Sequence, residues 1–206
     1  MAKRGESRED RLLAQAEADA RRLRNGRLIA LGLVVATAVI LSYVLTVGGA
    51  AGPPSAAAGS RLRAAAAAAG CTLAHFPTEG REHTSGQVTY RTNPPTSGAH
   101  NPAPAPDRAY TVAPPKENYV HSLEHGRIEL QYRPDSPPAV RTALRRVYDE
   151  FTHHMLLFPN NTGMAYEVAA TAWKHRLGCT HFNPRVPEAL RRFRDAYRDR
   201  GPEQVP

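Results

Sequence analysis

The hydrophobic pattern divides the chain into one uninterrupted apolar run and a later part where apolar residues alternate with polar ones or recur at helical spacing. The run covers residues 28–47, twenty positions without a charged side chain. A helix rises about 1.5 Å per residue, so a run of this length spans the ~30 Å hydrocarbon core of a bilayer. The pattern therefore predicts a transmembrane helix over residues 28–47.

Charge on either side of this segment predicts its orientation. Eight basic residues precede it within residues 1–27, and the next basic residue after it is Arg61. By the positive-inside rule, residues 1–27 form a charged cytoplasmic tail and the later part of the chain lies outside the cell membrane. A cleaved secretory signal remains an alternative, because small residues at 48–51 could form a cleavage site. Its apolar region, however, would be shorter, roughly 7–15 residues.

Beyond the membrane segment, composition separates a linker from a folded domain. Residues 48–70 are rich in Ala, Gly and Pro and are predicted to be a linker. Residues 71–201 carry the regular hydrophobic patterns of an extracytoplasmic domain, and residues 202–206 are a short tail.

Within the domain, the patterns predict an α+β fold with a short, mainly antiparallel sheet and two packed helices. Residues 127–132 alternate, with Ile128, Leu130 and Tyr132 on one side, which is typical of a half-buried strand. Further strands are predicted near 86–91, 154–158 and 165–172. Amphipathic helices are predicted at 137–151 and 188–200, where apolar residues recur at helical spacing.

Net charge does not point to nucleic acid. The formal charge is +8, but eight of the 27 basic residues lie in the N-terminal tail. The remainder of the chain carries a modest excess of basic residues and no nucleic-acid recognition motif. We therefore expect a membrane partner and no nucleic-acid partner.

The two cysteines, Cys71 and Cys179, lie near the start and in the last third of the domain. Thiols outside the cytoplasm tend to be oxidised, so a disulfide between them is expected. Two free thiols, or soft ligands for a metal, remain alternatives.

The densest chemical signal is the stretch from Tyr119 to Tyr132. His121 and His125 are four residues apart and Glu124 is three after His121, so on a helical turn they share one face. Two further histidines, His83 and His100, lie in Gly- or Pro-marked loops beside predicted strands, where a scaffold can orient side chains.

Imidazole suits zinc, copper, iron and nickel. The sequence therefore predicts a transition-metal site for copper or zinc, formed by four histidines with Glu124 as ligand or outer partner. The four are His83, His100, His121 and His125.

Two other functions remain open. The histidines could be structural groups of a non-catalytic cell-envelope interaction module. His121-Ser-Leu-Glu124-His125 also matches the H-x-x-E-H pattern of a metal-dependent hydrolase, with the glutamate as general base. That chemistry needs a long helix, whereas Gly126 leaves about one helical turn. No catalytic residue is assigned on this basis.

Three motifs resemble a known family. Pro94-Pro-Thr-Ser-Gly-Ala-His100, Val120-His-Ser-Leu-Glu-His-Gly126 and Thr171-Ala-Trp173 are together similar to the bacterial family of domain of unknown function 3105. The resemblance implies a charged N-terminus, one transmembrane helix and a domain after it, and implies no activity. It marks the five predicted site residues, His83 included. Where the family usually has glycine after the Ala-Trp pair, this chain has Lys174.

Overall fold

The computed structural model describes Arg21 and residues 53–203. Apart from Arg21, the predicted cytoplasmic tail and the predicted transmembrane segment 28–47 lie outside these residues, so both stay predictions. Among the described residues, no helix has the length and apolar character needed to cross a membrane.

Residues 53–203 form an α+β fold, as the sequence predicted. The elements in chain order are α1 (Ala56–Ala68), β1 (Thr72–His75), α2 (Lys116–Glu124), β2 (Ile128–Tyr132), α3 (Pro138–Asp149), β3 (Met155–Pro159), β4 (Val168–Ala172), β5 (His175–Cys179) and α4 (Val186–Tyr197).

The five strands form one sheet in the order β1-β5-β4-β2-β3. Every neighbouring pair is antiparallel except β2 and β3, which are parallel, so the expected mainly antiparallel sheet is confirmed. Alternate strand residues such as Leu130 and Leu157 face a large core shared with α1, α3 and α4. Their neighbours Leu156 and Phe158 face a smaller core shared with α2.

Three predicted strands and both predicted helices are present, with shifted boundaries. Strands β2, β3 and β4 correspond to the segments predicted near 127–132, 154–158 and 165–172. Helices α3 and α4 are shorter at their C-terminal ends than predicted, and each buries its apolar stripe, such as Leu144 of α3 and Phe193 of α4. Burial of these stripes in the large core explains why helical periodicity identified them.

The strand predicted near 86–91 is wrong, because side chains rather than a neighbouring strand accept hydrogen bonds from its backbone. The amide of Val88 donates to Glu117 Oε1 at 2.9 Å. Glu79 accepts from the amides of Arg91 and Thr92 at 2.8 and 3.2 Å. The segment is therefore an irregular loop, and the sheet is completed instead by β1 and β5.

Part of the predicted linker belongs to the folded domain. Helix α1 begins after Ser55, whose side chain accepts from the amide of Ala58. Leu62 and Ala66 are each 2% exposed in the large core. Leu62, the only large apolar residue of this Ala-rich helix, thus packs the helix against the domain together with the small side chain of Ala66.

The expected disulfide is confirmed, since Cys71 and Cys179 are bonded. The bond joins the start of β1 to the end of β5, which are paired antiparallel neighbours. The cysteines are 108 residues apart in sequence. In the chain-entropy treatment, closing so long a loop contributes about 4–5 kcal/mol.

Strand β2 is buried on both faces rather than half-buried, because helix α2 covers its polar side. Glu129 and Gln131 are both fully buried. Thr171 Oγ1 donates to Glu129 Oε2 at 2.6 Å, and Gln131 Nε2 donates to the same oxygen at 2.9 Å. Burial raises the pKa of Glu129 well above its ordinary value, and these two hydrogen bonds offset only part of that effect. Burial beneath α2 therefore favours the protonated, uncharged form of this carboxyl.

The hairpin between β4 and β5 turns through Trp173 and Lys174, and Lys174 has a φ of 64°. A left-handed conformation costs an L-residue roughly 1–2 kcal/mol, which glycine avoids at the expense of a more flexible unfolded chain. We expect Lys174→Gly to raise the free energy of unfolding by about 0.5–1 kcal/mol. Thermal unfolding should show a midpoint higher by a few degrees.

Lys174→Ala is the matched control, because it removes the same side chain and keeps the strained conformation. If the alanine and glycine variants unfold at the same temperature, backbone conformation does not account for the effect.

Glu129→Gln should stabilise the protein increasingly as pH rises. The folded state holds a proton on Glu129 that the unfolded chain releases above the ordinary pKa of glutamate. The free energy of unfolding of the wild type therefore falls with rising pH until the folded pKa is reached, by about 1.4 kcal/mol per pH unit. Glutamine is neutral at every pH, so the free energy of unfolding of the variant does not fall in this way.

The measurement is the thermal midpoint of both proteins at pH 5, 6 and 7, with Glu188→Gln on the exposed face of α4 as control. A difference between Glu129→Gln and wild type that does not change with pH would show that the buried carboxyl is ionised in the folded state.

Candidate metal centre

Helix α2 carries the central motif, and its end is fixed by backbone hydrogen bonds. Gly126 has a φ of 79°, and its amide donates to the carbonyl of Leu123 at 3.0 Å. The amide of Arg127 donates to the carbonyl of Ser122 at 3.1 Å, which completes a Schellman motif with glycine at the left-handed position. His121 and Glu124 therefore lie on the last helical turn, and His125 caps it.

Apolar contacts on the other side of α2 hold the helix against the sheet. Tyr119, Val120 and Leu123 are fully buried and pack in the smaller core with Phe158 and Trp173. Ser122 Oγ also donates to the carbonyl of Ala105 at 2.9 Å, which ties the Pro-rich segment to the helix. The motif thus sits on a helix that is anchored along its length.

His100 and His83 are brought together by the pairing of two extended segments. The amide of His100 donates to the carbonyl of Glu82 at 2.9 Å, and the amide of Thr84 donates to the carbonyl of His100 at 2.7 Å. These bonds make His83 and His100 neighbours in a parallel bridge. The loop before His100 packs into the domain, since its Thr96 and Ser97 are fully buried.

Three of the predicted histidines and the predicted glutamate converge. One potential ligand atom from each of His83, His100, His121 and Glu124 lies within 4.8 Å of those of the others. The ring centroids are 5.1 Å apart for His83 and His100, 4.9 Å for His83 and His121, and 4.6 Å for His100 and His121. We call these four residues the primary cluster. Their role as ligands remains a prediction.

Backbone carbonyls orient two of the imidazoles. His100 Nδ1 lies 2.8 Å from the carbonyl of Gly98, and His121 Nδ1 lies 2.6 Å from the carbonyl of Asn101. A carbonyl can only accept, so in both rings Nδ1–H donates and, in the neutral ring, Nε2 keeps its lone pair. A backbone carbonyl on the second ring nitrogen is the usual arrangement around a metal-bound histidine.

His100 Nε2 is buried, and no group in the part of the chain that the structure describes hydrogen-bonds to it. Glu124 Oε2 lies 2.9 Å away, but the two atoms are not aligned for a hydrogen bond. A buried nitrogen lone pair beside a carboxylate oxygen is an arrangement that a cation between them would stabilise.

Glu124 is almost completely buried, at 2% exposure of its side chain, and Arg81 pairs with its other oxygen, Oε1. The Arg81 side chain is 52% exposed, so it extends from solvent to the buried carboxylate. Arg81 therefore fixes the carboxylate while leaving Oε2 directed at the histidines.

Burial also influences which form of His121 is present. Desolvation lowers the pKa of His121, and the hydrogen bond to the Asn101 carbonyl opposes that effect only in part. The neighbouring His100 and His83 lower the pKa further. The neutral ring, which is the form that binds metals, is thus favoured.

His125, the fifth predicted site residue, belongs to a neighbouring group. Its ring lies 4.4 Å from that of His121, but its potential ligand atom groups with His121 and Glu203 rather than with the primary cluster. His125 Nε2 lies 3.4 Å from Glu203 Oε2. Desolvation lowers the pKa of His125, and nearby His121 and Arg127 lower it further.

Two residues at the site, Arg81 and Glu203, were not predicted from the sequence. Arg81 carried one signal, since it lies only two residues before His83. Glu203 carried none, because it lies in the segment assigned to a tail and reaches the site only through folding of the C-terminal end.

A third group of potential ligands has a structural role instead of a metal-binding one. It consists of Asp107, His153 and His154. Asp107 accepts from Arg127 Nε and from the amide of His154, each at 2.8 Å. His154 also pairs with Asp199 through Nδ1 at 2.5 Å. Both carboxylate oxygens of Asp107 are therefore engaged in holding loops together.

A family described as "Protein of unknown function (DUF3105)" matches residues 82–206, which is more than half of the chain. All five predicted site residues, together with Glu203, fall inside the matched region. No curated protein and no solved structure matches the chain.

Proposed function

The chain belongs to the DUF3105 family of proteins of unknown function, and from its own side chains we propose that it binds a transition-metal ion. The proposed ligands are His83, His100, His121 and Glu124. The observation that carries the proposal is that two imidazoles, each hydrogen-bonded through Nδ1 to a carbonyl, lie in one cluster with a buried carboxylate, and Nε2 of His100 is 2.9 Å from Oε2 of that carboxylate.

The donor set supports zinc or divalent copper. Three imidazole nitrogens and one carboxylate oxygen suit borderline metals, whereas monovalent copper prefers thiolate and thioether ligands. The cysteines are bonded to each other and supply no thiolate. Of the four ligands His83 alone is exposed, so an ion held here would be accessible from one side.

The rival function is an interaction module with structural histidines, and one observation favours it. Arg81 and His100 both approach Glu124, so an imidazolium and a guanidinium could neutralise the carboxylate without any metal. The hydrolase alternative has less support, because Arg81 holds one oxygen of Glu124 and the other is a proposed metal ligand, so Glu124 is not free to act as general base. Helix α2 also has only nine residues.

The location we propose is the outer side of the cell membrane, with residues 28–47 as a single-pass anchor. The uncharged run and the basic residues before it support this topology. The disulfide supports it independently, because such bonds persist in oxidising compartments.

Metal binding can be followed through Trp173, the single tryptophan of the chain, whose ring centroid lies 6.1 Å from that of His100. Divalent copper quenches tryptophan fluorescence at short range. We expect one equivalent of Cu²⁺ to quench the full-length chain, and Zn²⁺ to compete for the same site. His100→Ala and His121→Ala should each weaken binding by more than about 100-fold, beyond the usual effect of an outer-shell change. His181→Ala, at an exposed position, is the control.

Binding should weaken as pH falls, because protons compete for the imidazoles. Since burial lowers the pKa of His121, the loss should occur below the ordinary histidine range near ~6.5. The rival function predicts a different result: His121→Ala would lower the thermal midpoint of metal-free protein, and no stoichiometric metal binding would be observed in the wild type.

The topology proposal has its own test. A reporter that is active only in the cytoplasm should be silent when fused after Pro206 and active when fused before Leu28. Activity of the C-terminal fusion would reverse the proposed orientation.

A further inference from the structure

A second group of potential ligands adjoins the primary cluster and shares one residue with it. His125 and Glu203 each offer an atom within 4.8 Å of one from His121. We call His125 and Glu203 the side pair. Because His121 belongs to both groups, the side pair and the primary cluster are neighbouring positions rather than independent sites.

The C-terminal segment builds the side pair by docking on the end of helix α2. The amide of Asp199 donates to the carbonyl of Gly126 at 2.9 Å, and the amide of Glu203 donates to the carbonyl of Glu124 at 3.1 Å. Between them, a Cβ added at Gly201 would lie only 2.0 Å from the carbonyl oxygen of Glu124. Glycine at this position therefore permits the close contact that puts the Glu203 carboxylate beside His125.

His125 has the features of an available metal ligand. Its side chain is only 10% exposed, and its Nδ1 is buried with no hydrogen-bond partner among the described residues. The other ring nitrogen, Nε2, faces the Glu203 carboxylate at 3.4 Å. An imidazole and a carboxylate at this separation can hold a divalent ion, and the 42% exposure of the Glu203 side chain leaves the position open to solvent.

The charges around the two groups favour the side pair as the place where a cation approaches the site. At the primary cluster itself, the Arg81 guanidinium pairs with Glu124, is half exposed and would repel a metal ion that approached directly. Near the side pair, the basic residue Arg127 is paired with Asp107 at 2.8 Å, whereas Glu203 contributes an exposed negative charge. A local field of this kind raises association rates of oppositely charged ions.

We propose that the side pair is a transfer position through which a metal ion reaches and leaves the primary cluster by ligand exchange at His121. This inference rests on the proposed metal-binding function. His121 Nδ1 is bonded to the Asn101 carbonyl, so the ring has one nitrogen for a metal and serves one position at a time. The bond to His121 forms as the bonds to His125 and Glu203 break, and the oxidation state of the metal does not change.

The test separates rates from affinity. Full-length chain is mixed with Cu²⁺ in a stopped-flow instrument, and loading is followed by quenching of Trp173 fluorescence. Release is followed by the return of fluorescence with excess chelator, extrapolated to zero chelator concentration. For His125→Ala and for Glu203→Gln, we expect both rates to fall by the same factor, on the order of tenfold, with Kd unchanged. Glu188→Gln and His181→Ala, which alter exposed residues elsewhere, should leave both rates unchanged.

Unchanged rates in both side-pair variants would overturn the transfer position. A weaker Kd in His125→Ala would overturn it too, because His125 would then be a resident ligand. If His125→Ala does not fold, Glu203→Gln carries the test, since it changes an exposed side chain. Failure of the proposed function gives a different result: the wild type itself would not bind one equivalent of Cu²⁺.

Discussion

Helix α2 stops where two stretches of backbone touch, and the arrangement of the histidines depends on that contact. Gly126 turns the chain out of the helix, and Gly201 lies against the freed backbone so closely that neither position has room for a side chain without movement. If α2 continued for another turn, Arg127 would remain helical and β2 could not start at Ile128. Gly126 thus ends the helix and lets β2 begin, and its contact with Gly201 brings the C-terminal segment to the site.

The sequence predicted the fold class and the residue types of the candidate site, because both depend on local patterns. Alternation identified β2, helical spacing identified α3 and α4, and the Gly- and Pro-marked loops identified His83 and His100. Strand β5 was missed because Arg176 and Gly178 interrupt its apolar pattern. Helix α1 was assigned to a linker because Leu62 is its only large apolar side chain.

The separation of His125 from the primary cluster could not be predicted from spacing. Residues four apart share a face on a continuous helix, but α2 ends at Glu124, and His125 adopts the cap conformation. Its ring stays close to that of His121, but its potential ligand atom groups with His121 and Glu203 and not with the rest of the primary cluster. Likewise, Arg81 and Glu203 approach the motif from 43 and 79 residues away in sequence, a relation that only tertiary structure supplies. The burial of Glu129 and Gln131 has the same origin, since their alternation with apolar residues predicted a solvent-facing side of β2 that α2 in fact covers.

The disulfide determines which fragment of the chain can be produced as an intact domain. Cys71 lies before the region matched by the family, and so do helix α1 and strand β1. A fragment limited to residues 82–206 would leave Cys179 with a free thiol and expose the edge of β5, which normally pairs with β1. Unpaired strand edges and free thiols both promote association between chains. The region matched by the family is therefore smaller than the folding unit, and a fragment intended for expression should start ahead of Ser55.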